Sequence, residues 1–229
     1  MRPIRHLLLD CDGVLVDSEP IAVEVEVAML REAGIPADPA MIDEHFVGKD
    51  LTAMIEIVRE LFGVTLPATF EADHGRRTLA AFAGRLQPVR GLPEALAAIP
   101  LGKSVVSNSV RERVLYSIAT AGIAHHFGDR VHAAGDPGLR AKPWPDLYLA
   151  AAEKAQVDIA DCLVVEDSAS GVRAGVAAGA RVLGFTGTSH DPVVHSAKLR
   201  EAGAERTESD MARLPWWIEA FASGFSALR

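Results

Sequence analysis

The feature that most constrains the fold is a set of short apolar runs with little polar alternation. They fall at His6–Leu9, Ser104–Val106, Cys162–Val165 and Arg181–Phe185, with a weaker one at Arg130–Ala133. A strand with one wet face alternates polar and apolar residues, whereas a strand covered on both faces reads as a continuous apolar run. The segments between the later runs carry helical spacing: Val110–Ala121 is closed by Gly122, Asp146–Ala155 follows two prolines, and Ala169–Ala178 is closed by Gly179. Glycine after a helix and proline before one are its ordinary punctuation. Strands alternating with helices of this length predict a parallel sheet with helices on both faces.

Residues 18–86 break the alternation. Ile21–Ala33, Pro39–Phe46, Leu51–Phe62 and Ala68–Ala83 have helical periodicity, each ends near a glycine, and no convincing strand separates them. The expected organisation is a core domain of residues 1–17 and 87–229 with a helical domain, 18–86, inserted after the first strand. Hinges are expected near Val16–Ser18 and Leu86–Pro88. The net charge of −8 is unevenly shared: the insert carries 12 acids and 6 bases, the rest 19 and 17. An acidic chain without a basic run is a poor partner for nucleic acid or an anionic membrane. Leu7-Leu8-Leu9 and Val14-Leu15-Val16 each end in an aspartate, so neither a signal peptide nor a spanning helix is expected near the start, and a cytoplasmic protein is. Cys11 and Cys162 lack disulfide or metal-site spacing and read as buried thiols.

Ligands of a parallel sheet bind beyond the carboxyl ends of its strands. There the first strand delivers Asp10 and Asp12, the second Ser107-Asn108-Ser109, and the Cys162 strand Glu166-Asp167-Ser168. Lys142, in a proline-rich loop before a helix, can reach the same edge. Taken singly, each is an ordinary cap or turn; together they form one crevice. Four carboxylates gathered there repel unless a cation sits among them, and oxygen ligands without His or Cys favour a hard ion such as Mg²⁺. Hydroxyl, amide, helix start and ammonium supply donors for a bound anion.

In these residues the chain resembles the haloacid dehalogenase superfamily of phosphotransferases. The motifs that carry the resemblance are Asp10-Cys11-Asp12-Gly13-Val14-Leu15-Val16-Asp17-Ser18-Glu19, Ser107-Asn108, Lys142-Pro143-x-Pro145-Asp146 and Val165-Glu166-Asp167-Ser168-x-x-Gly171. They span the core in order. The resemblance implies a Rossmann-like α/β core with an inserted α-helical cap, as in the subgroup that includes β-phosphoglucomutase and sugar-phosphate phosphatases. It further implies that Asp10 attacks phosphorus to give an aspartyl-phosphate and that Asp12 serves as acid and then base. Ser107, the Asn108 backbone and Lys142 would hold the phosphoryl group. Mg²⁺ would sit on Asp10, the Asp12 carbonyl and Asp167, with Glu166 as a further ligand or a partner one layer out.

Mutases of that subgroup carry a His where this chain has Ala22 and a Lys where it has Val47, so transfer to water is favoured over a β-phosphoglucomutase-type phosphotransferase. The expected reaction is Mg²⁺-dependent hydrolysis of a small phosphorylated metabolite: a sugar, sugar-acid or polyol phosphate. A receiver-like signalling domain fits poorly, since receivers lack a helical insert, and a non-catalytic binding domain would not need the full set of side chains. Lys49, His45 and His190 are the substrate-contact candidates; His74, Arg76, Arg77 and His195 are further polar candidates. A monomer or homodimer is expected.

Overall fold

A computed structural model describes residues 2–46 and 51–223. The chain divides into two compact units, Met1–Asp17 with Gln87–Arg229, and Ser18–Leu86.

The first unit is an α/β sandwich. Strands β1 (His6–Leu9), β2 (Gly102–Val110), β3 (Val131–Ala134), β4 (Cys162–Glu166), β5 (Arg181–Phe185) and β6 (Arg206–Glu208) form one sheet in the order β3-β2-β1-β4-β5-β6. Every pairing is parallel. All four residues of β1 are buried, as are all five of β4, which is why neither shows a period of two. Chain order reverses between β1 and β4, the place where a doubly wound sheet opens a crevice at its carboxyl edge.

Helices α5 (Leu92–Ala98), α6 (Arg111–Thr120), α7 (Asp146–Ala155), α8 (Ala169–Ala178), α9 (Pro192–Glu201) and α10 (Leu214–Ser223) belong to the same unit. One face of the sheet builds a core from Leu8, Val106 and Val164 against Leu147, Tyr148 and Ala151 of α7 and Val172 of α8. Close approach of α8 depends on Gly175, where a Cβ would lie 3.0 Å from Val182 and 3.3 Å from Val164.

The segment after β5 adds a helix and a further strand. Asp191 accepts the backbone N–H groups of Val193 and Val194 and starts α9, and β6 then adds to the sheet edge. Neither element announces itself: α9 buries only Leu199, and β6 is the polar Arg-Thr-Glu. Glu208 of β6 is buried because Trp217 Nε1 (2.7 Å), Arg213 (3.0 Å) and two backbone N–H groups converge on its carboxylate. The tryptophan of α10 thereby fixes the last strand.

The second unit consists of α1 (Glu19–Glu32), α2 (Pro39–His45), α3 (Leu51–Phe62) and α4 (Phe70–Phe82). Val27, Leu30, Ile35, Ile42, Met54, Val58 and Phe70 close its own core. Gly34 at φ +84° and Gly63 at φ +65° let the chain leave α1 and α3 in the left-handed conformation.

At the amino edge of the sheet, His6 is buried with Nε2 2.9 Å from Ser104 Oγ. Burial first, then the nearby charges of Arg130 and Lys103, push its pKa down to about 4. The folded chain therefore binds fewer protons than the unfolded one between about pH 4 and 6.5, so this contribution is complete above that window and lost as pH falls through it. The wild type should lose up to ~3 kcal/mol from this group on acidification, and His6→Gln should show an unfolding free energy with a pH slope smaller by about one proton there. Urea titrations at pH 4.5, 5.5 and 6.5 test it; equal slopes would refute it.

Candidate active site

Asp10 follows β1 directly, and its N–H donates to Val165 O (3.1 Å), continuing the β1–β4 ladder by one residue. The chain then turns tightly, with Leu15 N and Val16 N both donating to Cys11 O. Gly13 sits in this turn at φ +80°, and a Cβ there would lie 2.0 Å from Asp167 Oδ2. Glycine is thus demanded twice, by backbone conformation and by the carboxylate from the neighbouring strand end.

Lys142 is the centre of the arrangement. Its ammonium donates to Asp10 Oδ1 (2.6 Å), Glu166 Oε1 (2.5 Å) and the carbonyl of Val106 (2.7 Å), and its side chain is only 2% exposed. All three donors are used on groups from three adjacent strands. The loop that delivers it is anchored by Asn108, whose Oδ1 accepts Lys142 N–H (2.8 Å) and whose Nδ2 donates to Lys142 O (3.0 Å). The Asn108 side chain is therefore committed to holding the lysine. Ser107 is buried, and its Oγ accepts the Ser109 N–H (3.0 Å).

Glu166 is fully buried. Its Oε1 also accepts from Tyr148 OH (3.2 Å), while Oε2 accepts from Ser168 N (2.8 Å) and Ser168 Oγ (2.9 Å). Ser168 in turn caps α8 by accepting Gly171 N–H. Both oxygens are thus saturated by protein donors.

One oxygen each from Asp10, Glu166 and Asp167 lies within 4.8 Å of the others. Burial, and then the charges of Glu166 and Asp12, raise the pKa of Asp10 to about 7 against the opposing pull of Lys142. Asp167 is pushed well above the usual carboxylate range by burial, Glu166 and Asp10. Burial alone would lower the Lys142 pKa, but Asp10 and Glu166 override it and hold the ammonium charged. A single ammonium cannot neutralise three carboxylates, and an all-oxygen set short of positive charge suits a hard divalent cation. The residues fit the metal expected from the sequence.

Asp12 lies beside this cluster, with Oδ2 accepting from Ser109 Oγ (2.8 Å) and Oδ1 from Arg113 Nη2 (3.1 Å). Two more contacts brace the loops: Thr188 Oγ1 donates to Gly13 O (3.0 Å), and His195 Nε2 donates to Asp167 O (2.5 Å).

Lys49 and its neighbour Val47 are outside the described residues. His45 ends α2 with Glu44 3.9 Å away, His74 is buried with Glu26 at 3.4 Å, and Arg76 and Arg77 make surface pairs with Asp73 and Glu32. His190 is exposed, and its charge acts on Asp17. Sequence reading missed Arg113, Tyr148 and Thr188 and gave His195 no definite role. Tyr148 sits at an apolar position of α7, and the others are common surface types, so nothing local marks them.

Residues 4–179 match the family model of the haloacid dehalogenase-like hydrolases. The chain is 36% identical over 198 residues to the 6-phosphogluconate phosphatase of Escherichia coli K12, covering 85% of this chain and 89% of that one. Among solved structures, a haloacid dehalogenase-like protein of unknown function from Agrobacterium tumefaciens C58 aligns with TM-score 0.87 and 34% identity, covering 96% and 99% of the two chains. A family hydrolase from Deinococcus radiodurans R1, solved with bound phosphate and sodium, aligns with TM-score 0.82 and 30% identity over 97% and 98%. The chain belongs to the haloacid dehalogenase-like hydrolases.

The packing of Glu166 gives a direct test. A Cβ on Gly171 would fall 1.7 Å from Glu166 Oε1 and 2.0 Å from its Cδ, and moving the carboxylate away breaks its hydrogen bonds to Lys142 and Ser168. Gly171→Ala should cost ~3 kcal/mol or more in chemical denaturation, the scale of breaking a buried ion pair. A loss below ~1 kcal/mol, the size of an ordinary surface change, would show that Glu166 can move aside.

Proposed function

We propose that this hydrolase is a phosphatase for a small phosphorylated metabolite, a sugar, sugar-acid or polyol phosphate, acting through an aspartyl-phosphate on Asp10. The observation that carries the proposal is the buried Lys142 ammonium holding Asp10 against Glu166, with Asp167 beside them. The likeness to a 6-phosphogluconate phosphatase supports the substrate class.

Asp10 is the nucleophile: its carboxylate forms a bond to phosphorus as the bond to the ester oxygen breaks, and Asp12 gives its proton to the departing alcohol. Asp12, now a carboxylate, takes a proton from the water that next attacks phosphorus, and Asp10 is released with inorganic phosphate. Lys142 orients Asp10 and places positive charge beside the phosphoryl oxygens. Ser107 and the Asn108 backbone supply hydrogen bonds to the same oxygens, so that positioning and charge lower the barrier. Glu166 is a positioning residue that fixes Lys142 and the start of α8. Asp10, the main-chain carbonyl of Asp12 and Asp167 would hold Mg²⁺, which when bound offsets negative charge on the phosphate.

Phosphate release from a panel of sugar, sugar-acid and polyol phosphates tests the reading. Turnover should disappear with EDTA, return with Mg²⁺, and fall by ~10³-fold or more in Asp10→Asn. Metal-independent turnover or an active Asp10→Asn enzyme would refute it. Interconversion of glucose phosphates that needs a bisphosphate activator would identify a mutase instead.

A further inference from the structure

Asp12 has a task that few carboxyl groups have: in the proposed reaction it must occupy one position both with and without a proton. Its two oxygens meet different kinds of partner. Oδ1 accepts from Arg113 Nη2 at 3.1 Å, and Oδ2 accepts from Ser109 Oγ at 2.8 Å. A guanidinium can only donate and keeps its charge, whereas a hydroxyl can donate or accept.

From this asymmetry we infer that Arg113 and Ser109 are positioning residues for Asp12, which hold it through both half-reactions and direct its proton to Oδ2. When Asp12 is ionised, both partners donate to it, as seen here. When it is protonated, Oδ1 is the carbonyl oxygen and still accepts from Arg113, while the proton lies on Oδ2 and the Ser109 hydroxyl turns to accept. The Oδ2 proton turns from Ser109 to the ester oxygen and passes to it as the P–O bond breaks, and the same oxygen later takes a proton from the attacking water. Neither partner gains or loses a proton overall. The carboxyl group need not leave its rotamer, so proton transfer avoids the cost of recapturing it each cycle.

The surroundings make the clamp stiff. Arg113 lies in the first turn of α6, and two residues earlier Arg111 grips Asp136 with Nε (3.0 Å) and Nη2 (2.7 Å) while Nη2 also reaches Val131 O (2.8 Å). Asp136 Oδ2 further accepts Ala133 N–H (3.0 Å) at the end of β3. Ser109 is fixed through its N–H on Ser107 Oγ. The side chains of Arg113 and Asp12 are 22% and 28% exposed, a partly buried pair that bulk water screens less than a surface one.

The inference rests on the phosphatase reading, and the test separates the two. Two esters are compared by kcat/KM, which covers the steps up to departure of the alcohol: glycerol 3-phosphate, whose alkoxide needs a proton to leave, and p-nitrophenyl phosphate, whose phenolate does not. Arg113→Met should lower kcat/KM for glycerol 3-phosphate by ~10²-fold and leave p-nitrophenyl phosphate within about threefold, the scale of a mispositioned general acid. Arg113→Lys should restore most of the loss, and Ser109→Ala should move in the same direction as Arg113→Met. Equal losses on both esters, or no loss on glycerol 3-phosphate, would overturn the clamp. Should Arg113→Met fail to fold, Arg113→Lys and Ser109→Ala carry the same comparison. Asp12→Asn serves as the control on the underlying reading: if it does not discriminate between the esters, the role of Asp12 itself fails, whatever Arg113 does.

Discussion

The rest of the site depends on one buried ammonium. Lys142 donates to both Asp10 and Glu166 and also to the carbonyl of Val106, so a single side chain ties together the ends of β1, β2 and β4. Removing the ammonium would leave Asp10 and Glu166 buried without their charge partner, which costs several kcal/mol. Fold and chemistry are coupled through this contact: the sheet order that brings β2, β1 and β4 side by side is also what lets one lysine reach all three. The same arrangement leaves the centre short of positive charge, with Asp10 and Asp167 both shifted toward the protonated form. A divalent cation would offset that deficit.

Around this centre the loops are held by contacts that do no chemistry themselves. Asn108 spends its side chain on both backbone groups of Lys142, Ser168 divides its hydroxyl between Glu166 and the start of α8, and Thr188 and His195 fix the carbonyls of Gly13 and Asp167. Geometry at an active centre has to be held to fractions of an ångström, and such supporting contacts supply it. Two glycines complete the packing by leaving space. Gly13 makes room for the Asp167 carboxylate and Gly171 for that of Glu166.

Much of this was legible in the sequence, for identifiable reasons. β1, β5, α3, α7 and α8 lie where apolar runs and punctuation place them, because the two strands are buried almost continuously and the three helices end at glycine or begin after proline. β6 and α9 were not legible: one is a three-residue polar edge strand stabilised by a buried glutamate, the other an exposed helix that buries one leucine. The motif residues Asp10, Glu166, Asp167 and Lys142 stand together at one sheet edge, since strand ends are where sequence reading places them. Tyr148, Thr188 and Arg113 were silent because their roles arise from tertiary contacts with residues 18, 175 and 101 positions away. Glu166 carries the clearest lesson. Sequence reading gives it as a further metal ligand or a partner one layer out, and its two oxygens accept hydrogen bonds from Lys142, Tyr148 and Ser168.

The central claim is that Asp10, held by Lys142, takes the phosphoryl group covalently. The most direct measurement is an acid-quenched single turnover with a ³²P-labelled substrate in Mg²⁺, followed by peptide mapping. The account predicts a transient, hydroxylamine-labile phosphoryl group on the peptide containing Asp10, formed before inorganic phosphate appears. Release of phosphate with no covalent label at any time, or a label on Ser107, would contradict it.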